Sequence, residues 1–276
     1  ILEVEGSGRT PRTADARVQL RADSVLFGEV LLDTLRLQAG IRDGLVTLDT
    51  LRVRSNVVAL SGRGTVGLVA DGAQRRTADL RVEGDIESLT PLEGLVGVDP
   101  LRLGTGQVAL RVAGPADSLS VEATATATAM LVGTTELVGL DARIQGRGSV
   151  EEGLGRASGS LELDRLGIGG LDVRLSELDG EWDGDELTLQ GDLTLDDRRD
   201  VSFQMAVDPR AQVARASLDR MDIRVDDDSW SLVGRPSISW ADGIQVDSLA
   251  LRAPDQAMLV AGRYDAAGGS DLRLEL

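Results

Sequence analysis

Residues 120–130 read Ser-Val-Glu-Ala-Thr-Ala-Thr-Ala-Thr-Ala-Met, alanine and threonine alternating almost without interruption. Counted by twos, Val121, Ala123, Ala125, Ala127 and Ala129 fall on one side, and Glu122, Thr124, Thr126 and Thr128 on the other. Successive side chains of a strand face opposite ways, so the segment predicts a β-strand with a shallow apolar face and a polar one. A helix would scatter four threonines around its circumference against their propensity.

The same alternation extends through the chain. One face carries Val58, Leu60, Val66 and Leu68, then Leu80, Val82 and Ile86, then Val108, Leu110 and Val112. It continues with Leu140, Ala142 and Ile144, with Leu161 and Leu163, and with Leu187, Leu189, Leu193 and Leu195. Val201, Phe203, Met205 and Val207 follow, and later Leu232, Ile238, Met258 and Val260. The opposite positions are charged or polar, as at Arg81, Glu83, Asp85, Arg143 and Gln145. The pattern predicts an all-β protein with one apolar and one wet face. A single short helix is expected over 91–97, where Thr90-Pro91-Leu92-Glu93 has the form of a capping box and Gly97 can close the last turn.

The chain also echoes itself. Leu32-Asp33-Thr34-Leu35-Arg36-Leu37 returns at Leu48–Val53 and, as Val-Asp-Ser-Leu-Ala-Leu, at Val246–Leu251. The second and third copies follow Asp43-Gly44 and Asp242-Gly243, the strongest short hairpin signal. Leu60–Val66 matches Ile144–Val150 almost position for position. Recurrence at irregular spacing predicts stacked hairpins in one continuous domain, 1–276, and argues against a β-helix of equal coils.

Composition narrows the functions. The net charge is −17, which disfavours nucleic-acid partners. Cysteine and histidine are both absent, so thiol chemistry, histidine acid–base catalysis and the usual zinc sites are excluded. All 29 basic residues are arginine. Aromatic residues make up 2% of the chain against 33 glycines, a composition that points to a thin, extended core. No apolar run reaches the roughly 18 residues of a spanning helix, and the chain, which opens without methionine, is read as a fragment of a longer protein.

Three patterns invite chemistry. Gly62-Arg63-Gly64-Thr65-Val66-Gly67 satisfies GxGxxG but lies inside an alternating strand rather than between strand and helix, so its glycines are read as structural. Asp196-Asp197 and Asp226-Asp227-Asp228 lack the spacing of a calcium loop and read as solvated turns. A carboxylate pair for glycoside hydrolysis would want stacked rings, and Trp182, Trp230 and Trp240 are the only tryptophans. What remains is the apolar face. It either packs dry, as in a structural or adhesive β-solenoid, or lines a groove for acyl chains, and periodicity alone does not separate the two.

The stretch Gly28–Val66 followed by Gly106–Val150, with its Asp-Gly-led hairpins, strands ending in Leu-x-Gly-x-Gly and the Gly-Pro-x-Asp-x-Leu-x-Val turn at Gly114–Val121, resembles the AsmA-like repeats of TamB and related bacterial envelope proteins. The resemblance implies an elongated, U-shaped sheet, the β-taco, with a hydrophobic inner groove. It implies a non-enzymatic protein without cofactor or metal, anchored in the inner membrane and crossing the periplasm. Phospholipid acyl chains would be its cargo, in the service of outer-membrane biogenesis, and a BamA-like outer-membrane protein its partner through the full-length chain. Under that resemblance the alternating apolar residues named above, from Val58 to Val260, line the groove.

Overall fold

The computed structural model describes residues 1–10, 13–67, 77–97, 99–149, 153–168, 171–208, 214–240, 244–265 and 269–275. Leu68 and the Asp242-Gly243 pair lie outside them. The described chain is all-β, with antiparallel strand pairs throughout the registered ladder and one short helical segment. It divides into two units, Ile1–Gly155 with Gly167–Gly170, and Arg156–Leu166 with Leu171–Leu276.

The first unit contains β1 (Leu2–Ser7), β2 (Asp15–Phe27), β3 (Val30–Arg42), β4 (Leu45–Ser55), β5 (Val58–Gly67), β6 (Thr77–Ile86), β7 (Leu101–Leu103), β8 (Gly106–Pro115), β9 (Leu119–Val132) and β10 (Thr135–Ser149). From β1 to β6 each strand pairs with the one before it. β6 then pairs with β8, β8 with β9, and β9 with β10. The turn chemistry explains the meander. Asp43 and Gly44, at φ +50° and +76°, occupy the left-handed region that a two-residue hairpin requires. Gly114-Pro115 leads into the next turn, where the Ser118 N–H donates to the Pro115 carbonyl at 2.9 Å.

β7 and β8 together flank β9 as one interrupted strand. At the break the Gly104 N–H donates to the Ala129 carbonyl, and the Thr105 N–H donates to Thr128 Oγ1 at 3.1 Å. A Cβ on Gly104 would lie 2.6 Å from that hydroxyl oxygen, so a side chain here would have to displace it.

The helix expected over 91–97 is present in two pieces, a 3-10 turn at Thr90–Leu92 and a single α-turn at Glu93–Val96, closed by Gly97 at φ +71°. The capping box does not form. Glu93 Oε1 instead accepts the N–H of Leu101 at 2.7 Å, and Thr90 Oγ1 donates to the Leu101 carbonyl at 3.4 Å. Tying down the buried first residue of β7 outweighs capping a turn this short.

The second unit holds most of β11 (Gly153–Ile168), then β12 (Leu171–Trp182), β13 (Leu187–Asp196), β14 (Arg199–Asp208), β15 (Ala214–Val225), β16 (Asp228–Val233), β17 (Ser237–Trp240), β18 (Ile244–Ala253), β19 (Gln256–Asp265) and β20 (Gly269–Glu275). β12 to β15 pair in sequence, and β16 and β17 together fill the place between β15 and β18. The Leu218 N–H bridges the gap between them by donating to the Pro236 carbonyl at 3.0 Å.

The repeated Leu-Asp-Thr-Leu motif has a structural meaning that a strict period of two does not give. Leucines three apart would face opposite sides of a regular strand. In all three copies the ladder slips by one residue. Leu32 and Thr34 face Ser55 and Arg54, Ala39 and Gln38 face Leu48 and Thr50, and Val246 and Leu249 face Gly262 and Val260. Each copy is thus a β-bulge that absorbs one extra residue at its Asp-Thr/Ser step. The bulge in β4 returns Leu48 and Leu51 to the same face, opposite Gly64 and Gly62 of β5.

Candidate functional site

In the first unit the register stacks apolar side chains into rungs that cross the sheet. Leu60, Gly84, Val108, Ala125 and Ala142 are direct cross-strand partners in succession. Gly62, Val82, Leu110, Ala123 and Ile144 form the next rung, and Gly64, Leu80, Val112, Val121 and Gly146 a third. Val58, Ile86, Gly106, Ala127 and Leu140 form a fourth, and Val66 lies opposite Ala78.

Sequence reasoning missed the other half of this face. Ala22, Leu35 and Val53 extend the first rung, and Leu20, Leu37 and Leu51 the second. Val18, Ala39 and Leu48 extend the third. The signal that finds them is the pair of leucines three apart, once it is read as a bulge.

Glycines on this face are not vacancies. A Cβ on Gly84 would meet Leu60 Cδ2 at 2.3 Å, and one on Gly62 would meet Leu51 Cδ2 at 3.4 Å. A neighbouring leucine lies over each of these two glycines and fills the space a side chain would have taken.

The face is open. Among these rung residues none is buried apart from Gly106. Leu110 and Val66 are each 37% exposed and Ile144 is 51% exposed, and the rest are half-buried. Inward side chains of a dry sandwich are close-packed and lose nearly all contact with water. Among the described residues of the first unit the buried aliphatic side chains are Val57 and Leu101, both outside the rungs.

The second unit carries a similar face. Leu189 lies opposite Met205, and Leu193 opposite Val201, which faces Ile223. Leu187, Val207, Ala216, Ile238 and Val246 run as one rung. Leu232 faces Leu251, which faces Met258, and Val260 faces Leu249. Leu195 sits at a bulge in β13 with no residue opposite it on β14. Phe203 packs its ring over Gly191, where a Cβ would approach two ring carbons to 2.5 Å. This unit has a small core: Leu163 is 6% exposed, Leu218 5% and Leu251 2%. Leu163 therefore belongs to that core, while Leu161 beside it on β11 is half-buried.

The remaining motifs resolve simply. Gly62–Gly67 lies within β5, as its alternation implies. Arg199 donates to Asp196 Oδ2 at 2.6 and 2.9 Å, and Arg198 pairs with Asp226 at 3.4 Å, so arginines answer these aspartates. Among the described residues no cluster of acidic side chains is arranged to hold a metal ion. Trp182 lies opposite Leu187 and Trp230 opposite Ile223, on different rungs.

The polar face of the first unit also holds a cleft of about 730 Å³. Two consecutive rungs line it, Arg36-Arg52-Ser61-Glu83-Ala109-Thr124 and Thr34-Arg54-Ala59-Asp85-Gln107-Thr126.

Compared with known proteins, the chain matches no family model, no curated protein and no solved structure.

Proposed function

We propose that the chain is a non-enzymatic conduit segment that carries phospholipid along its apolar face between the inner and outer membranes, across the periplasm. The observation that carries this reading is the open apolar face of the first unit, with rung after rung of Val, Leu, Ile, Ala and Gly half-exposed and no polar side chain interrupting them. An exposed aliphatic surface of this extent marks an interaction site. Hydrocarbon needs no polar partner, and each methylene withdrawn from water contributes about 0.8 kcal/mol. Because every position along a rung is aliphatic or glycine, an acyl chain moving one strand along, about 4.8 Å, exchanges one apolar surface for another. Transfer along the face then has no deep trap, and the head group stays in water at the margin. The resemblance to AsmA-like repeats points the same way.

The test is mass spectrometry of organic extracts from the purified protein and from Leu110→Arg. Leu110 is already 37% exposed, so the variant is expected to fold. Phospholipid that accompanies wild type and falls at least severalfold in the folded variant is the expected result. Equal lipid from both, or none from wild type, refutes the reading.

A further inference from the structure

The cleft on the polar face has an arrangement of charge that the apolar face does not explain. Arg36 and Arg52 are direct cross-strand partners, and Arg54 follows two residues along β4. Like charges placed opposite each other on one face are mutually destabilising. Arg21, opposite Arg36 on β2, continues the row but answers Asp23 at 2.7 Å, and elsewhere Arg143 answers Asp141 at 2.9 Å. Among the described residues, no carboxylate lies within ion-pairing distance of Arg36, Arg52 or Arg54. This holds even though the protein carries 46 acidic side chains.

The opposite wall has the opposite sign. Glu83 and Asp85 stand on β6, two strands away, and Asp85 accepts a bond from Gln107 Nε2 at 3.2 Å. Between the walls, the side chains β5 turns to this face are the short ones of Ala59 and Ser61, which keeps the floor low. Two strand spacings put the backbones of β4 and β6 about 10 Å apart, no ion pair joins the guanidinium and carboxylate rows across that gap, and it is narrow enough for one small molecule to touch both.

We propose that this cleft binds a zwitterionic phosphate ester. The forks of Arg36, Arg52 and Arg54 hold the phosphate oxygens, since planar guanidinium donors match that geometry. Glu83 and Asp85 receive the amine of the same molecule. The site lies on the face opposite Leu110 and does not rest on the conduit reading.

Isothermal titration of the whole chain with O-phosphoethanolamine at low salt tests it, with inorganic phosphate as the comparison. The expected result is saturable binding that Arg52→Gln weakens about tenfold or more, with Arg147→Gln, on the same face outside the cleft, without effect. Glu83→Gln is expected to abolish the preference for phosphoethanolamine over phosphate. These positions are exposed, and far-UV circular dichroism checks that each variant folds. No saturable binding, or binding indifferent to Arg52→Gln, overturns the site, and equal affinity for the two probes in wild type overturns the amine half. Flotation with phosphatidylethanolamine vesicles separates the sources. Co-flotation lost in Arg52→Gln assigns the site to a membrane-borne head group, and solution binding without co-flotation assigns it to a soluble ester.

Discussion

Deleting one residue from the middle of a strand ordinarily turns every side chain beyond it to the wrong face. The bulges make a different prediction for Asp49. Without it, Leu48, Thr50 and Leu51 follow one another in plain alternation, and the two leucines stay on the apolar face where the bulge had put them. Deletion of Asp49 is therefore expected to change stability by less than about 1 kcal/mol, the residual effect being lost local twist. Deletion of Arg81 is the contrast, because β6 alternates without a bulge from Thr77 to Ile86. There, even the smaller rearrangement turns Leu80 outward and brings Asp79 onto the apolar face. Leu80 is half-buried, so its loss is about 1 kcal/mol, half of what full burial contributes. A carboxylate set among aliphatic side chains adds about 1–3 kcal/mol. The expected cost is thus about 2–4 kcal/mol. Urea titrations followed by far-UV circular dichroism, with hydrogen exchange on peptides of β3 to β6, measure both variants. Equal losses for the two deletions would refute the bulge argument.

Two further outcomes follow from the second unit. Gly191→Ala sets a methyl group 2.5 Å from the Phe203 ring and is expected to cost about 1–3 kcal/mol in urea, with Phe203→Leu restoring part of it in the double variant. The bond from Arg199, and then the Arg198 N–H, hold the Asp196 carboxyl below its usual 3.8, and the Ser231 hydroxyl with Arg220 does the same for Asp222. A depressed carboxylate contributes stability that is complete above its unfolded value and lost as pH falls through the folded one. The acid limb of tryptophan fluorescence below about pH 4 is therefore expected to flatten in Asp196→Asn, and an unchanged limb would remove Asp196 from the account.

Much of the fold was legible in the sequence because one face had to be apolar and the other wet. Ser120–Met130 declares its two faces residue by residue, and Asp43-Gly44 declares its turn. The bulges were visible only as repetition, since strict alternation has no place for leucines three apart and nothing local says which residue is extra. The failed capping box has a similar cause. Thr90 and Glu93 have the right spacing, but the competing partner, the backbone of Leu101, comes from a strand that local pattern does not bring near. The cleft was the least legible feature. Arg36, Arg52 and Glu83 look like scattered surface charge until the register of four strands brings them into one row, and register is a property of pairs of strands.

The neighbour-to-neighbour pairing of β1 to β6 bears on how the protein comes into being. Each contact closes a loop no longer than a hairpin, so ordering needs no distant part of the chain, and such local topologies fold quickly for their size. A chain delivered from its N-terminus can lay down each strand against the last as it emerges. The same scheme leaves the newest strand, at every moment of synthesis, with a row of unsatisfied N–H and C=O groups along its free side. A nascent chain with this architecture is therefore most exposed to mispairing at its growing end, and a pause after an odd strand presents the same bare edge as a pause after an even one.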